Sequence, residues 1–106
     1  MSRRTTAIAA ALSVLALGSP LITACANPLA NNSYNSGVDK YEQGDYQGAI
    51  ADYTKALKIN PKDVISYSNR GIARELVNDL QGACDDWKKA GDLGDERSAE
   101  WVNNQC

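Results

Sequence analysis

Histidine is missing altogether from this 106-residue chain. Its absence removes both the commonest general base and the commonest metal ligand. Other chemical signatures are missing with it. There is no calcium-loop or phosphate-loop pattern, Ser66, Ser68 and Ser98 have no paired base, and the three cysteines show no CxxC spacing of the redox kind. The neighbouring carboxylates Asp85 and Asp86 fall about 100° apart around a helix and do not converge; with Asp92, Asp95 and Glu96 they read as a solvated face. A concentrated basic face is lacking too. Lys55 with Lys58 and Lys88 with Lys89 are short groupings interleaved with acids, which argues against a nucleic-acid partner. These absences predict a non-enzymatic protein with no cofactor, no metal and no small-molecule substrate.

Long apolar runs are scarce. The run from Ala7 to Leu17 is shorter than the roughly 20 residues an ordinary membrane span needs. Preceded by Arg3 and Arg4 and followed by small residues, it has the charged, apolar, small-residue order of a secretory signal over 1–24. The signal ends Ile22-Thr23-Ala24-Cys25, which resembles the lipobox of bacterial lipoproteins, with isoleucine where leucine is commonest. The resemblance implies that Cys25 becomes the acylated mature N-terminus, with 25–32 as a short tether to a membrane of the cell envelope. Cleavage after Ala26, releasing a soluble periplasmic or secreted domain, is the alternative. Losing 1–24 takes Arg3 and Arg4 from the eleven basic residues and leaves nine against thirteen acids, a net charge of −4.

What the chain does have is a period of thirty-four residues. Aligned without a gap, 30–63 and 64–97 are identical at nine places: Asn35/Asn69, Gly37/Gly71, Asp45/Asp79, Gln47/Gln81, Gly48/Gly82, Ala49/Ala83, Asp52/Asp86, Lys55/Lys89 and Ala56/Ala90. Tyr46, Ala49, Ile50, Tyr53, Ala56 and Leu57 recur at steps of three and four, the signature of an amphipathic helix. Gln43-Gly44-Asp45 supplies a glycine able to close the helix before it, and Pro61 stops the helix after it. Each unit reads as helix, tight turn, helix. Small residues at 37, 49 and 56 allow close helix approach, while Tyr53 and Trp87 fill the wider gap beside them.

This arrangement of small residues, aromatic and proline resembles the tetratricopeptide repeat. The resemblance covers 30–106 and implies an all-α solenoid fragment: two hairpins over 33–97, in units of about 30–63 and 64–97, and a capping helix over 98–106. Such units stack and leave a curved surface that holds another chain. Departures from the pattern are Ser33 in place of tryptophan, Lys40 and Arg74 in place of tyrosine, and Asp95 in place of the second proline. Arg70 and Arg74 are expected to lay their stems along the core edge with their charges exposed. Continuing the period of thirty-four brings Trp101 to the place of Ser33 and Tyr67, with Asp95 as N-cap of the last helix.

In the resembled family the first helix of each hairpin lines the concave groove. Here that implies Asn31, Tyr34, Asn35, Val38, Tyr41 and Glu42, then Ile65, Ser68, Asn69, Ile72, Glu75 and Leu76. Of these, Tyr34, Asn35, Val38, Tyr41, Ser68, Asn69, Ile72 and Glu75 are the candidate contacts for an unidentified protein or peptide partner. The basic clamp that grips an acidic chain terminus in part of that family has only Asn69 as a counterpart, so that function is not implied. Self-association by stacking of hairpins is the alternative use of the same surfaces. If Cys25 is acylated or lost, Cys84 and Cys106 remain as an even pair in an exported chain, which predicts a disulfide between the last two helices. A buried free thiol at Cys84 with a frayed Cys106 is the other reading.

Overall fold

The computed structural model describes residues 27–106; the expected signal segment 1–24 and Cys25 lie outside the described residues. Those described form five α-helices and no strand: α1 (Pro28–Glu42), α2 (Tyr46–Ile59), α3 (Val64–Leu76), α4 (Leu80–Asp92) and α5 (Glu96–Gln105). Each helix packs on its neighbours along the chain, α1 on α2, α2 on α3, α3 on α4 and α4 on α5. The result is the expected all-α stack of two hairpins and a C-terminal capping helix.

Helix starts follow a single chemical rule. Asn27, Asp45, Asp63, Asp79 and Asp95 are the five N-caps, and each side chain accepts a hydrogen bond from a backbone N–H two or three residues on. Asn27 with Pro28 explains why α1 begins inside 25–32, the stretch expected to be a tether. Asn27 Oδ1 accepts from Leu29 N at 3.0 Å, and proline at the first helical position lacks only a donor that would have been unpaired anyway. Between α1 and α2, Gly44 takes a φ of 82°, and its period-mate Asn78, between α3 and α4, takes 63°. The turn needs left-handed backbone, and asparagine is among the few other residues that tolerate it.

Two aromatic side chains carry the core. Tyr53 on α2 and Trp87 on α4 are each 1% exposed, surrounded by buried Ala49, Ala56, Ala73, Ala83 and Ala90. A Cβ on Gly37 would come within 2.7 Å of Tyr53 Cε1, and one on Gly71 would collide with the Trp87 indole. Here the periodic glycine and the periodic aromatic are one device, since the first helix of each hairpin can lie against the ring only without a side chain. Trp87 Nε1 is left buried with no acceptor, a cost the indole's packing must outweigh.

Three expectations are corrected. The chain does not continue its period of thirty-four into α5. Asp63 and Asp95 cap α3 and α5, and Ser66 and Ser98 play the same part behind them, each donating its hydroxyl to the capping carboxylate, at 2.6 and 2.5 Å. That register is 32 residues. It puts Trp101 at the place of Asn69, not of Tyr67, with its ring centroid 5.2 Å from that of Trp87.

Asp86 is not part of a solvated face; it is 3% exposed, as its mate Asp52 is 4%. Arg70 and Arg74 do not hold their charges in solvent either. Arg70 donates Nε to Asp86 Oδ2 at 2.9 Å and Nη2 to Oδ1 at 2.6 Å, and Arg74 Nη1 reaches Oδ2 at 2.9 Å. In the first hairpin Ser36 and Lys40 stand where Arg70 and Arg74 stand in the second. Ser36 Oγ donates to Asp52 Oδ2 at 2.5 Å, with Lys40 Nζ 3.0 Å from the same oxygen. A buried carboxylate on the second helix thus collects two donors from the first in each hairpin. Arg70 also donates Nη1 to Thr54 Oγ1 at 3.0 Å, which joins α3 to α2 across the two units.

At the C-terminal end Cys84, one turn into α4, is bonded to Cys106, with Cα atoms 6.0 Å apart. The bridge fastens the far end of α5 to the start of α4.

Candidate partner-binding groove

The first helix of hairpin one, α1, and that of hairpin two, α3, lie on the same flank of the stack with α2 behind them. Between them is a cavity of 240 Å³ lined by Tyr34, Val38, Tyr41, Glu42, Tyr53, Asn69 and Ile72. The helix repeat explains the lining. Tyr34, Val38, Tyr41 and Glu42 lie at steps of four, three and one along α1, so they form one face, and Asn69 and Ile72 do the same on α3. Tyr53 forms the floor from α2.

The rings are braced. Tyr34 and Tyr53 have centroids 5.8 Å apart in a tilted arrangement, and Tyr41 packs on Tyr46 at 5.4 Å. Asn69 Nδ2 donates to the Tyr34 hydroxyl at 3.2 Å across the gap between the units. One amide N–H is so used, and the carbonyl oxygen stays open to a ligand donor. Burial, with the neighbouring Tyr34 and Tyr41, pushes the Tyr53 hydroxyl up to about 12; the polar Asn69 side chain acts the other way, and the charge on Glu42 adds to the rise. The floor is therefore a neutral phenol at any physiological pH. Tyr34 also borders a hollow of 140 Å³ with Asn31, Asp63 and Ile65, so the concave surface continues along the N-terminal halves of α1 and α3.

Of the eight candidate contact residues, the cavity brings together Tyr34, Val38, Tyr41, Asn69 and Ile72. Asn35 and Glu75 are exposed and lie outside it. Ser68 is 6% exposed and hydrogen-bonded to Ser98 at 3.2 Å, so it spaces α3 from α5 instead of offering a groove hydroxyl; it borders a separate space of 70 Å³ with Asp95 and Arg97. Tyr53, which its place in the period marks as a core residue, also belongs to the cavity. Its signal in the sequence was the wide aromatic itself, which fills the gap between units and also shows a ring edge to the groove. Trp101 explains why the groove stops where it does. Standing at the place of Asn69, it packs an indole over Trp87, where at Asn69 the space beside Tyr53 remains as the cavity.

With the geometry in hand, the class of protein is a helical-hairpin repeat of the α-solenoid kind. Residues 37–76 match the family model for the TPR repeat, the tetratricopeptide repeat, which spans the end of α1, all of α2 and all of α3. Among curated proteins the chain is similar to the tetratricopeptide repeat protein 36 homolog of Nematostella vectensis, 38% identical over 63 residues, covering 59% of this chain and 35% of that protein. It is similar also to stress-induced-phosphoprotein 1 of Caenorhabditis elegans, 38% identical over 61 residues, covering 57% of this chain and 19% of that one. The chain thus spans about a third or less of the length of these relatives. TPR repeats mediate protein–protein interactions. Among the described residues no helix is long and apolar enough to cross a membrane.

Proposed function

We propose that this protein is a non-enzymatic interaction module of the bacterial cell envelope that holds a short segment of a partner protein, as an adaptor or assembly factor. The observation that carries the reading is the cavity between α1 and α3, where three tyrosines, two aliphatic side chains and an amide converge on one concave flank. It continues past Tyr34 as a furrow, the shape that suits an extended chain. With two hairpins the contact is short, so affinity rests on local concentration or on several copies acting together. Export and acylation at Cys25 complete the proposal, supported by the order of residues 1–25. Because α1 begins at Pro28, only Ala26 and Asn27 separate Cys25 from the helix. Two residues reach about 7 Å, so an acylated Cys25 would seat the first hairpin directly on the bilayer surface.

The double substitution Asn69→Ala with Tyr41→Ala tests the groove, because both side chains line the cavity and neither is fully buried. It is expected to abolish co-purification of an envelope partner captured by the wild-type chain, with helix content unchanged. Undiminished capture counts against the groove. Self-association is the second reading, favoured by an asymmetry of the stack: α5 closes one end with Trp101, whereas α1 at the other leaves Leu29 67% exposed. Sedimentation of the purified chain separates the two, since a monomer at high concentration rules out self-stacking.

A further inference from the structure

The chemistry of the α1–α3 cavity narrows what a partner segment can place there. At 240 Å³ it is smaller than the roughly 300–1,000 Å³ of pockets that enclose a drug-sized ligand, and so suits one large side chain. Its walls are the rings of Tyr34, Tyr41 and Tyr53 with Val38 and Ile72. The tyrosine hydroxyls can donate or accept, while the carboxylate of Glu42 and the carbonyl of Asn69 can only accept. Asn69 uses one of its two amide N–H groups on Tyr34, and no hydrogen bond among the described residues engages its carbonyl oxygen. Glu42, the only charged residue in the lining, has no ion-pair partner among the described residues. The cations nearest in the chain, Lys40, Arg70 and Arg74, are turned to Asp52 and Asp86 instead. Residues 27–106 carry nine basic side chains against thirteen acidic ones, so the wider field has the same sign as Glu42.

We propose that this cavity takes the side chain of an arginine on the partner segment, its guanidinium stacked on the tyrosine rings and donating to Glu42 and to the Asn69 carbonyl. The inference rests on the groove reading above and specifies its anchor. A planar, weakly hydrated guanidinium stacks on aromatic faces and offers several donors in fixed directions, which an ammonium does not. An apolar side chain would fill the same volume but would cover the Asn69 carbonyl without supplying a donor and leave the Glu42 charge unmatched. An acidic one would meet Glu42 as a like charge.

The test is a titration of the ¹⁵N-labelled purified chain with N-acetyl-arginine amide, N-acetyl-citrulline amide and N-acetyl-leucine amide, read by NMR at Tyr34, Tyr41, Asn69 and Ile72. Citrulline keeps the shape of arginine and loses the charge. Saturable binding of the arginine probe is expected at about millimolar concentration. Citrulline should bind about tenfold more weakly, and Glu42→Gln should bring arginine down to the citrulline level. Glu100→Gln, on the exposed side of α5, should change nothing. Equal binding of arginine and citrulline, or an unchanged affinity in Glu42→Gln, overturns the proposal. A preference for the leucine probe at the same resonances also overturns it while leaving the groove reading in place, as does silence of the cavity to every probe when Asn69→Ala with Tyr41→Ala still abolishes capture. Silence together with undiminished capture removes both.

Discussion

Asp86 and Asp52 show how much a single residue's surroundings decide. In both hairpins the carboxylate points inward from the second helix and is held by donors of the first, two guanidinium groups in one case and a hydroxyl with an ammonium in the other. Removing one member of such a set leaves the others desolvated and unpaired. Asp86→Ala is therefore expected to cost about 3 kcal/mol in urea unfolding, whereas Asp85→Ala, on the exposed face, should fall within about 0.5 kcal/mol of wild type. Asp52 also sets a pH dependence. Burial pushes its carboxyl up, but hydrogen bonds from Ser36 and Lys40 and the charges of Lys40 and Lys55 outweigh it and bring the net value below the ordinary 3.8. A folded-state value lower than the unfolded one stabilises above the unfolded value, and that stability is lost as pH falls through the folded one. The urea midpoint should hold from neutral pH to about pH 5 and decline below pH 4, with a shallower decline in Asp52→Asn.

At the scale of elements, α5 behaves as a lid on the last hairpin. It touches α4, covers Trp87 with Trp101 and is tied back by the bridge from Cys106 to Cys84, a separation of 22 residues. Closing a loop of that length stabilises by about 3 kcal/mol on the chain-entropy account. Cys84→Ser with Cys106→Ser is expected to lower stability by about that amount and to raise Trp101 exposure to a soluble quencher, while the Tyr34–Tyr53 side of the molecule keeps its signals. If quenching of Trp101 is the same with and without the bridge, α5 is held by packing alone. The 32-residue register of α5 has its cause at this scale as well. α4 is one residue shorter than α2, and Gly94, at a φ of 111°, and Asp95 turn the chain into the last helix one residue sooner than Asn60 to Asp63 do between α2 and α3.

Among the described residues, the extensive contact surfaces join helices consecutive in the chain, so stability is close to a sum of unit and interface terms. The two ends differ. α1 is covered on one side by α2 and has only Ala30 and Gly37 fully buried, while α4 is packed between α3 and a covalently fastened α5. Hydrogen exchange should therefore grade along the stack, with amides of α1 opening first and those of α3 and α4 last. Uniform protection from α1 to α5 would indicate a single cooperative unit. The groove lies at the looser end, between α1 and α3, where a bound segment would clamp the two hairpins together and raise the protection of α1.

Much of this was legible in the residues themselves. Helix, turn, helix and stop follow from apolar spacing, from Gly44 and Pro61, and from an aspartate or asparagine at each start, because all of these act within a few residues of chain. The Gly37/Tyr53 and Gly71/Trp87 pairs were readable as a packing period, since the same volume must be filled twice. The side on which Asp86 lies was not legible, nor the direction of the Arg70 and Arg74 charges, nor the sealing of Ser68 by α5. An amphipathic face is defined by apolar residues, and a carboxylate beside that face is taken as solvated until its partners on another helix are known. The shift of α5 by two residues was hidden for the same reason: a period counts chain length, whereas the seat of Trp101 is set by the space above Trp87. Local geometry and repeat belong to the sequence, because they depend on near neighbours. Which polar groups are buried, and where the concave flank opens between Tyr34 and Ile72, is decided only when helices far apart in the chain come to lie side by side.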